Sequence, residues 1–311
     1  MGVGAIRGLV RRVVSTLGVN GALQGLDTLK HLSAKGLIRD MLDRGVLGSI
    51  QDAEFKVYSQ WGDDGIIQYL INNVDIPKKA RAFVEFGVEN YTEANTRFLL
   101  TNDNWSGLVM DSDPTNIEHI KKEAIYWRHD LTALQSFVNA ENINGLLQGN
   151  GFTGETGLLH IDIDGNDYWV WKGITAISPI IAIIEYNSLF GANRAVTIPY
   201  DPAFQRTKAH YSNLYCGASL KALCSLADEK GYHFVGTNSN GNNAYFVRKD
   251  KIGVLKPLTA EEGYVESRFR ESRDPEGNLT FIGGDARYKV IEDLDVFDVA
   301  EDRLVKLRDC L

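Results

Sequence analysis

Between about residues 80 and 190, short β-branched or aromatic runs alternate with longer polar stretches of helical spacing, the pattern of successive βα units in a mostly parallel sheet. Strands are predicted over 83–86, 106–111, 157–162 and 180–186, and a helix over 220–230. Two further runs, 232–235 and 244–247, flank a turn-rich connection at 238–242 and predict a closing β-hairpin. A dinucleotide-binding sheet would instead continue with parallel strands and crossover helices. The fold class expected is therefore α/β, a doubly wound, mostly parallel Rossmann-like sheet ending in an antiparallel β-hairpin.

Ahead of this region, Ile6, Leu9, Val10, Val13, Val14 and Leu17 recur at helical spacing. Residues 1–55 read as a helical N-terminal extension, 56–250 as the ligand-binding domain, and 251–311 as a small, charged C-terminal extension. The leading helix is expected to pack on the main domain, with peripheral membrane contact or homo-oligomer formation as its alternatives.

The 311 residues suffice for a large core, and 44% hydrophobic with 24% charged content is globular composition. A net charge of −8 excludes a general nucleic-acid binder, which needs surplus Lys and Arg against phosphate. Cys216, Cys224 and Cys310 lack metal-finger spacing and read as free thiols. No stretch reaches the roughly 18 apolar residues of a membrane span, and Arg11 and Arg12 interrupt any leader core, so a cytoplasmic location is expected.

In open α/β sheets ligands bind outside the carboxyl ends of the strands, which draws attention to the acids there. Glu85 and Gly87 end the first predicted strand, and Gly87 would admit a ligand close to the backbone. Asp111, 26 residues after Glu85, ends the second and could accept both ribose hydroxyls of a nucleoside. Asp130 could accept from an adenine amino group. No Gly-x-Gly-x-x-Gly follows the first strand, so no glycine bed awaits a pyrophosphate. A zwitterionic tail fits better, held by Asn95 and Thr96.

The stretch from Tyr58 through Val247, opening Tyr58-Ser59-Gln60-Trp61-Gly62-Asp63-Asp64-Gly65, resembles class I S-adenosylmethionine (SAM)-dependent methyltransferases, particularly the FkbM-type group. The resemblance implies SAM as cofactor, with Glu85, Gly87, Asp111 and Asp130 at its binding positions. Gln60 resembles a residue of the segment lying over the cofactor. Glu89 stands where such enzymes have a second glycine.

Asp162, Asp164 and Asp167 put three acids at one strand end, and Glu185 and Asn187 end the next. Carboxylates gathered this way call for a divalent cation or a shared proton, and hard oxygen ligands suit Mg²⁺ or Ca²⁺. The Asp-x-Asp-x-x-x-Tyr pattern is similar to metal-dependent, macrocin-type sugar O-methyltransferases. That similarity implies Asp162 as metal ligand, with Glu185 and Asn187 beside it, and Asp164 as base. Strand alternation turns His160 to the face of Asp162. His210, with Arg194, Tyr200 and Tyr211, would suit a carbohydrate-like acceptor. The function expected is SAM-dependent O-methylation of a small-molecule or glycan hydroxyl, against an NAD-dependent oxidoreductase or epimerase and a non-catalytic binding module.

Overall fold

In the computed structural model, which describes residues 19–310, the expected βα units form one seven-stranded sheet. The apolar positions from Ile6 to Leu17 lie outside the described residues. The chain divides into two compact units, Met1–Gly45 and Val46–Leu311. The first contains the helix Val19–Arg44. No described helix is long and apolar enough to cross a membrane.

In the second unit, β1 (Ala82–Phe86), β2 (Ser106–Asp111), β3 (Leu131–Gln135), β4 (Gly154–Ile161) and β5 (Ile177–Glu185) run parallel. After β6 (Val196–Thr197), the hairpin β7 (Tyr232–Thr237) and β8 (Asn243–Arg248) returns to this sheet. The order is β3-β2-β1-β4-β5-β8-β7, with β8 antiparallel to both neighbours. Five parallel strands closed by a reversed strand make the class I methyltransferase fold.

β5 explains its central place by composition. From Ile180 to Ile184 it is apolar and wholly buried, as a strand covered on both faces must be. Pro179, which cannot donate to a ladder, precedes the pairing with β8 that begins at Ile181. On one face Val84, Leu159, Ala182 and Phe246 pack with the helices Ile143–Gly149, Asp167–Gly173 and Leu220–Glu229. Trp171 fills this core, with ring centroids 4.9 Å from Phe246 and 5.9 Å from Tyr232. On the opposite face the helices Asp63–Asn73 and Arg97–Asn102 begin over Glu85 and Tyr245.

A second sheet, β10-β9-β6, joins β6 to β9 (Asp295–Asp298) and β10 (Arg303–Lys306). It has its own core of Phe190, Val196, Ile198, Leu214, Ile291, Val296 and Leu307. Trp169 bridges the layers: its Nε1 donates to the Ile198 carbonyl at 2.9 Å and its ring packs on Phe297. The C-terminal residues are thereby built into the structure beside the carboxyl ends of the main strands.

The registers set up the site. Continuing each pairing by one residue brings Asp111, Gly87, Asp162, Glu185 and Asn243 into a single row across the carboxyl rim. Two residue pairs below, Glu85 and His160 are direct neighbours on β1 and β4.

The closeness of these strands yields a test. A Cβ at Gly107 would lie 2.1 Å from the fully buried Phe83 ring. Overpacking of this kind costs about 1–3 kcal/mol. Gly107→Ala should lower the unfolding free energy by that amount, read as a lower urea midpoint with an unchanged slope.

Candidate active site

Above the row lies a cavity of about 530 Å³, within the range of small-molecule sites. At one end it is lined by Met110, Asp111, Ser112, Ser136, Phe137 and Val138. Its floor is Gly87, Asp162 and Glu185, and its far end is Phe204, Arg206, Phe269, Glu271 and Arg287.

Gly87 is required by geometry. Its φ is +72°, and a Cβ would sit 1.6 Å from the Asp162 carbonyl oxygen. The next two turns of chain reach left-handed conformations without glycine, at Glu89 (φ 47°) and Tyr91 (φ 61°). Glu89 is held there by its own N–H, which donates to Asp111 Oδ2 at 2.8 Å. Asp111 Oδ1 accepts from Asp113 N and Asn116 Nδ2, at 2.8 and 3.0 Å. Oδ2 therefore keeps one acceptor site for a ligand.

Beneath the floor, Glu85 is fully used. Oε1 accepts from Asn95 N and His160 Nδ1, both at 2.9 Å, and Oε2 accepts from Thr96 N at 3.1 Å and from Thr96 Oγ1. Four donors fill the carboxylate. Glu85 and Thr96 thus organise the loop after β1, and neither has a group to spare for a cofactor. His160 likewise spends both ring nitrogens, since Asn95 Nδ2 lies 3.2 Å from Nε2. That contact suits a neutral ring; a protonated ring would take the Asn95 amide turned through 180°. Burial lowers the His160 pKa, but the Glu85 hydrogen bond and charge raise it above its ordinary value on balance. Burial raises the Glu85 pKa, and His160, Thr96 and Asn95 more than reverse this. A buried ion pair, with the Asn95 amide turned to accept from Nε2, accounts for both directions, and in it His160 positions Glu85.

The acids above are differently placed. Asp162, Asp164 and Glu185 can each bring one oxygen within 4.8 Å of the others. Burial, then Asp164, raises the Asp162 pKa to about 7. Burial, then the three neighbouring aspartates, raises Glu185 well above its ordinary value. Asp164 is exposed, in a left-handed conformation at φ 55°, and accepts from Arg206 Nη1 at 2.5 Å. Asp167 is occupied elsewhere, accepting from Ile163 N and Gly165 N at the start of its helix.

Three expected residues fall away from this site. Asp130 precedes β3: its carbonyl accepts from Gly107 N at the amino-terminal rim, about 16 Å from the carboxyl rim at the usual strand rise. Asn187 is consumed as a cap, with Nδ2 donating to the Leu214 and Cys216 carbonyls and Oδ1 accepting from Leu189 N. His210 bonds Ser212 and stacks on Tyr211, outside the cavity lining. Arg194 and Tyr200 are also turned elsewhere, to Cys310 and Glu141. Gln60, Glu85, Gly87, Asn95, Asp111, His160, Asp162, Asp164 and Glu185 do line the cavity, and Thr96 does not. The residues that sequence reasoning missed are Arg206, Phe269, Glu271 and Arg287, brought in from distant segments by the second sheet.

No protein-family model matches the chain, and no curated protein sequence matches it. Among solved structures, the chain is similar to the N-terminal domain of EvdMO1 with SAH bound, at 10% identity and a TM-score of 0.40, over 70% of this chain and 93% of that one. It is also similar to a S-adenosylmethionine-dependent methyltransferase from Clostridium acetobutylicum, at 10% identity and a TM-score of 0.39, over 62% and 92%. A putative O-methyltransferase from Klebsiella pneumoniae aligns at 12% identity and a TM-score of 0.37, over 69% and 89%. Likeness at this distance assigns no activity.

The Glu85–His160 pair makes a sharp prediction. His160→Leu leaves a buried carboxylate without its counter-ion and should cost about 3–5 kcal/mol in denaturant unfolding. Glu85, with its pKa lowered, contributes stability that is lost as pH falls through its folded value; His160, raised, contributes stability that is lost as pH rises through its own. The gap between native and variant protein should therefore be widest between the unshifted values of 4.5 and 6.5 and narrow on both sides.

Proposed function

We propose that this chain is a SAM-dependent methyltransferase that methylates a hydroxyl of a sugar, glycan or related polar metabolite. The observation that carries the reading is the rim row itself. A nucleoside-sized end beside Asp111 leads across a bare glycine to a cluster of carboxylates, along one continuous cavity.

The residues present fit the cofactor. Asp111 Oδ2 is free to accept a ribose hydroxyl, and Phe137, Val138 and Met110 offer apolar contact for the base. Gly87 allows close approach at the centre, and Gln60 and Asn95 line the wall toward the amino-acid tail. Bound there, the cofactor supplies a sulfonium methyl group for in-line displacement. The acids on the floor favour that positive charge.

A divalent cation also fits. Asp162 and Glu185 face the cavity with no hydrogen bond to either carboxylate among the described residues, and their spacing with Asp164 suits oxygen ligands around a divalent cation such as Mg²⁺ or Ca²⁺. Such an ion lowers the pKa of a hydroxyl bound to it. With Asp162 and Glu185 as its ligands, Asp164 is the carboxylate left to take the hydroxyl proton, steadied by Arg206. Asn187 has no part in this set.

The competing classes fit less well. An NAD-dependent oxidoreductase needs a glycine bed for pyrophosphate, and the chain turns through Glu89 and Tyr91 there. A non-catalytic module gives no reason to leave Asp162 and Glu185 unbonded inside a cavity.

Calorimetric titration should show S-adenosylhomocysteine binding and none with NAD⁺; heat with NAD⁺ alone overturns the reading. Asp111→Ala should weaken S-adenosylhomocysteine at least about tenfold, the scale of a lost charge-assisted hydrogen bond. Asp164→Ala should cut turnover about 10²–10⁴-fold while cofactor affinity stays within about threefold. EDTA should abolish turnover and Mg²⁺ restore it; full activity in chelator removes the cation from the mechanism.

A further inference from the structure

At its far end the main cavity adjoins a side pocket of about 50 Å³, which shares Glu185, Arg206, Phe269 and Arg287 with it and is otherwise walled by Ser188, Cys216, Gly217, Gly241 and Ser267. Two guanidinium groups, Arg206 and Arg287, line both spaces. Arg206 is partnered, to Asp164 and to the Asn213 carbonyl.

Arg287 is different. Only 6% of it is exposed, yet its Nη1 holds the Phe269 carbonyl at 2.7 Å and its Nε is buried with no partner at all. Glu271 and Glu266 act on it only through space, behind burial and the repulsion of Arg206, which together pull its pKa down. A buried cation without a counter-ion is costly, and a buried N–H without an acceptor adds to the cost. Arg is also the side chain whose planar fork suits a carboxylate or phosphoryl group. A neutral acceptor would leave the Arg287 charge without a counter-ion.

We propose that Arg287, assisted by Arg206, binds a compact oxyanion of the acceptor, a carboxylate or a phosphoryl group, seated in the side pocket. The proposal rests on the methyl-transfer reading only in assigning that oxyanion to the acceptor. Asp162 and Asp164 lie between the rim glycine and Arg206, so an acceptor anchored by its anion would present a hydroxyl, not the anion, to the carboxylate cluster. The side pocket has room for a group of a few heavy atoms, not for a second ring.

The test is titration calorimetry on the full chain. Inorganic phosphate and acetate are titrated alone, and glucose 6-phosphate, glucuronate and glucose are titrated with S-adenosylhomocysteine present. Phosphate or acetate should bind, and the matching charged sugar should bind at least tenfold more tightly than glucose, which identifies the anion. Arg287→Gln should reduce that preference at least tenfold with S-adenosylhomocysteine affinity within threefold of the native value. Glucose binding as well as both charged sugars, or an unchanged preference in Arg287→Gln, overturns the proposal. Should Arg287→Gln fail to fold for want of its bond to Phe269, Arg287→Lys decides: it keeps the charge and loses the fork, and a preference lowered less than threefold overturns the proposal. Absence of S-adenosylhomocysteine binding would count against methyl transfer, while the phosphate and acetate titrations would still read the pocket.

Discussion

The site depends on one buried carboxylate. Glu85 ties the strand that carries it to the adjacent strand through His160 and to the following loop through Asn95 and Thr96. That loop begins at Gly87, whose missing side chain lets the Asp162 backbone lie against it. Remove the charge from the middle of this arrangement, and the loop loses its anchor, the rim glycine its position, and the cavity its floor. The acids exposed to the cavity stand directly above one that is completely paired.

Polar groups are sorted by depth. In the lower tier Glu85 is satisfied through both oxygens, and Asp63 and Asp64 each accept several hydrogen bonds through one oxygen while the other is buried without a partner among the described residues. The upper tier, Asp162 and Glu185, has no such partners among the described residues, and burial followed by the neighbouring acids raises both pKa values. Rigidity below and unmet demand above are what a binding surface requires: the first fixes where the second points.

Much of this was legible in the chain. Strands announced themselves through β-branched runs bounded by polar residues, and Asp111, Asp162 and Glu185 were found because each directly ends such a run. Asp130 misled because the strand beside it, Leu131 to Gln135, has a weak β composition, so an acid entering the strand looked like an acid leaving one. Asn187 lies only two residues past Glu185, but the chain has already turned there, and a side chain so placed serves the turn. Arg206 and Arg287 carry no local signal at all. Their meeting depends on pairing between strands about a hundred residues apart, which periodicity does not encode.

That pairing has a temporal side. Val196 and Thr197 take their partners from Phe297 and Asp298, whereas every strand of the large sheet is complete by Arg248. A chain emerging from the ribosome can therefore assemble the large sheet while the opposite wall of the cavity is still unmade, since domains form in the order of their synthesis. The wall that carries Arg287 is the last part of the cavity to be completed.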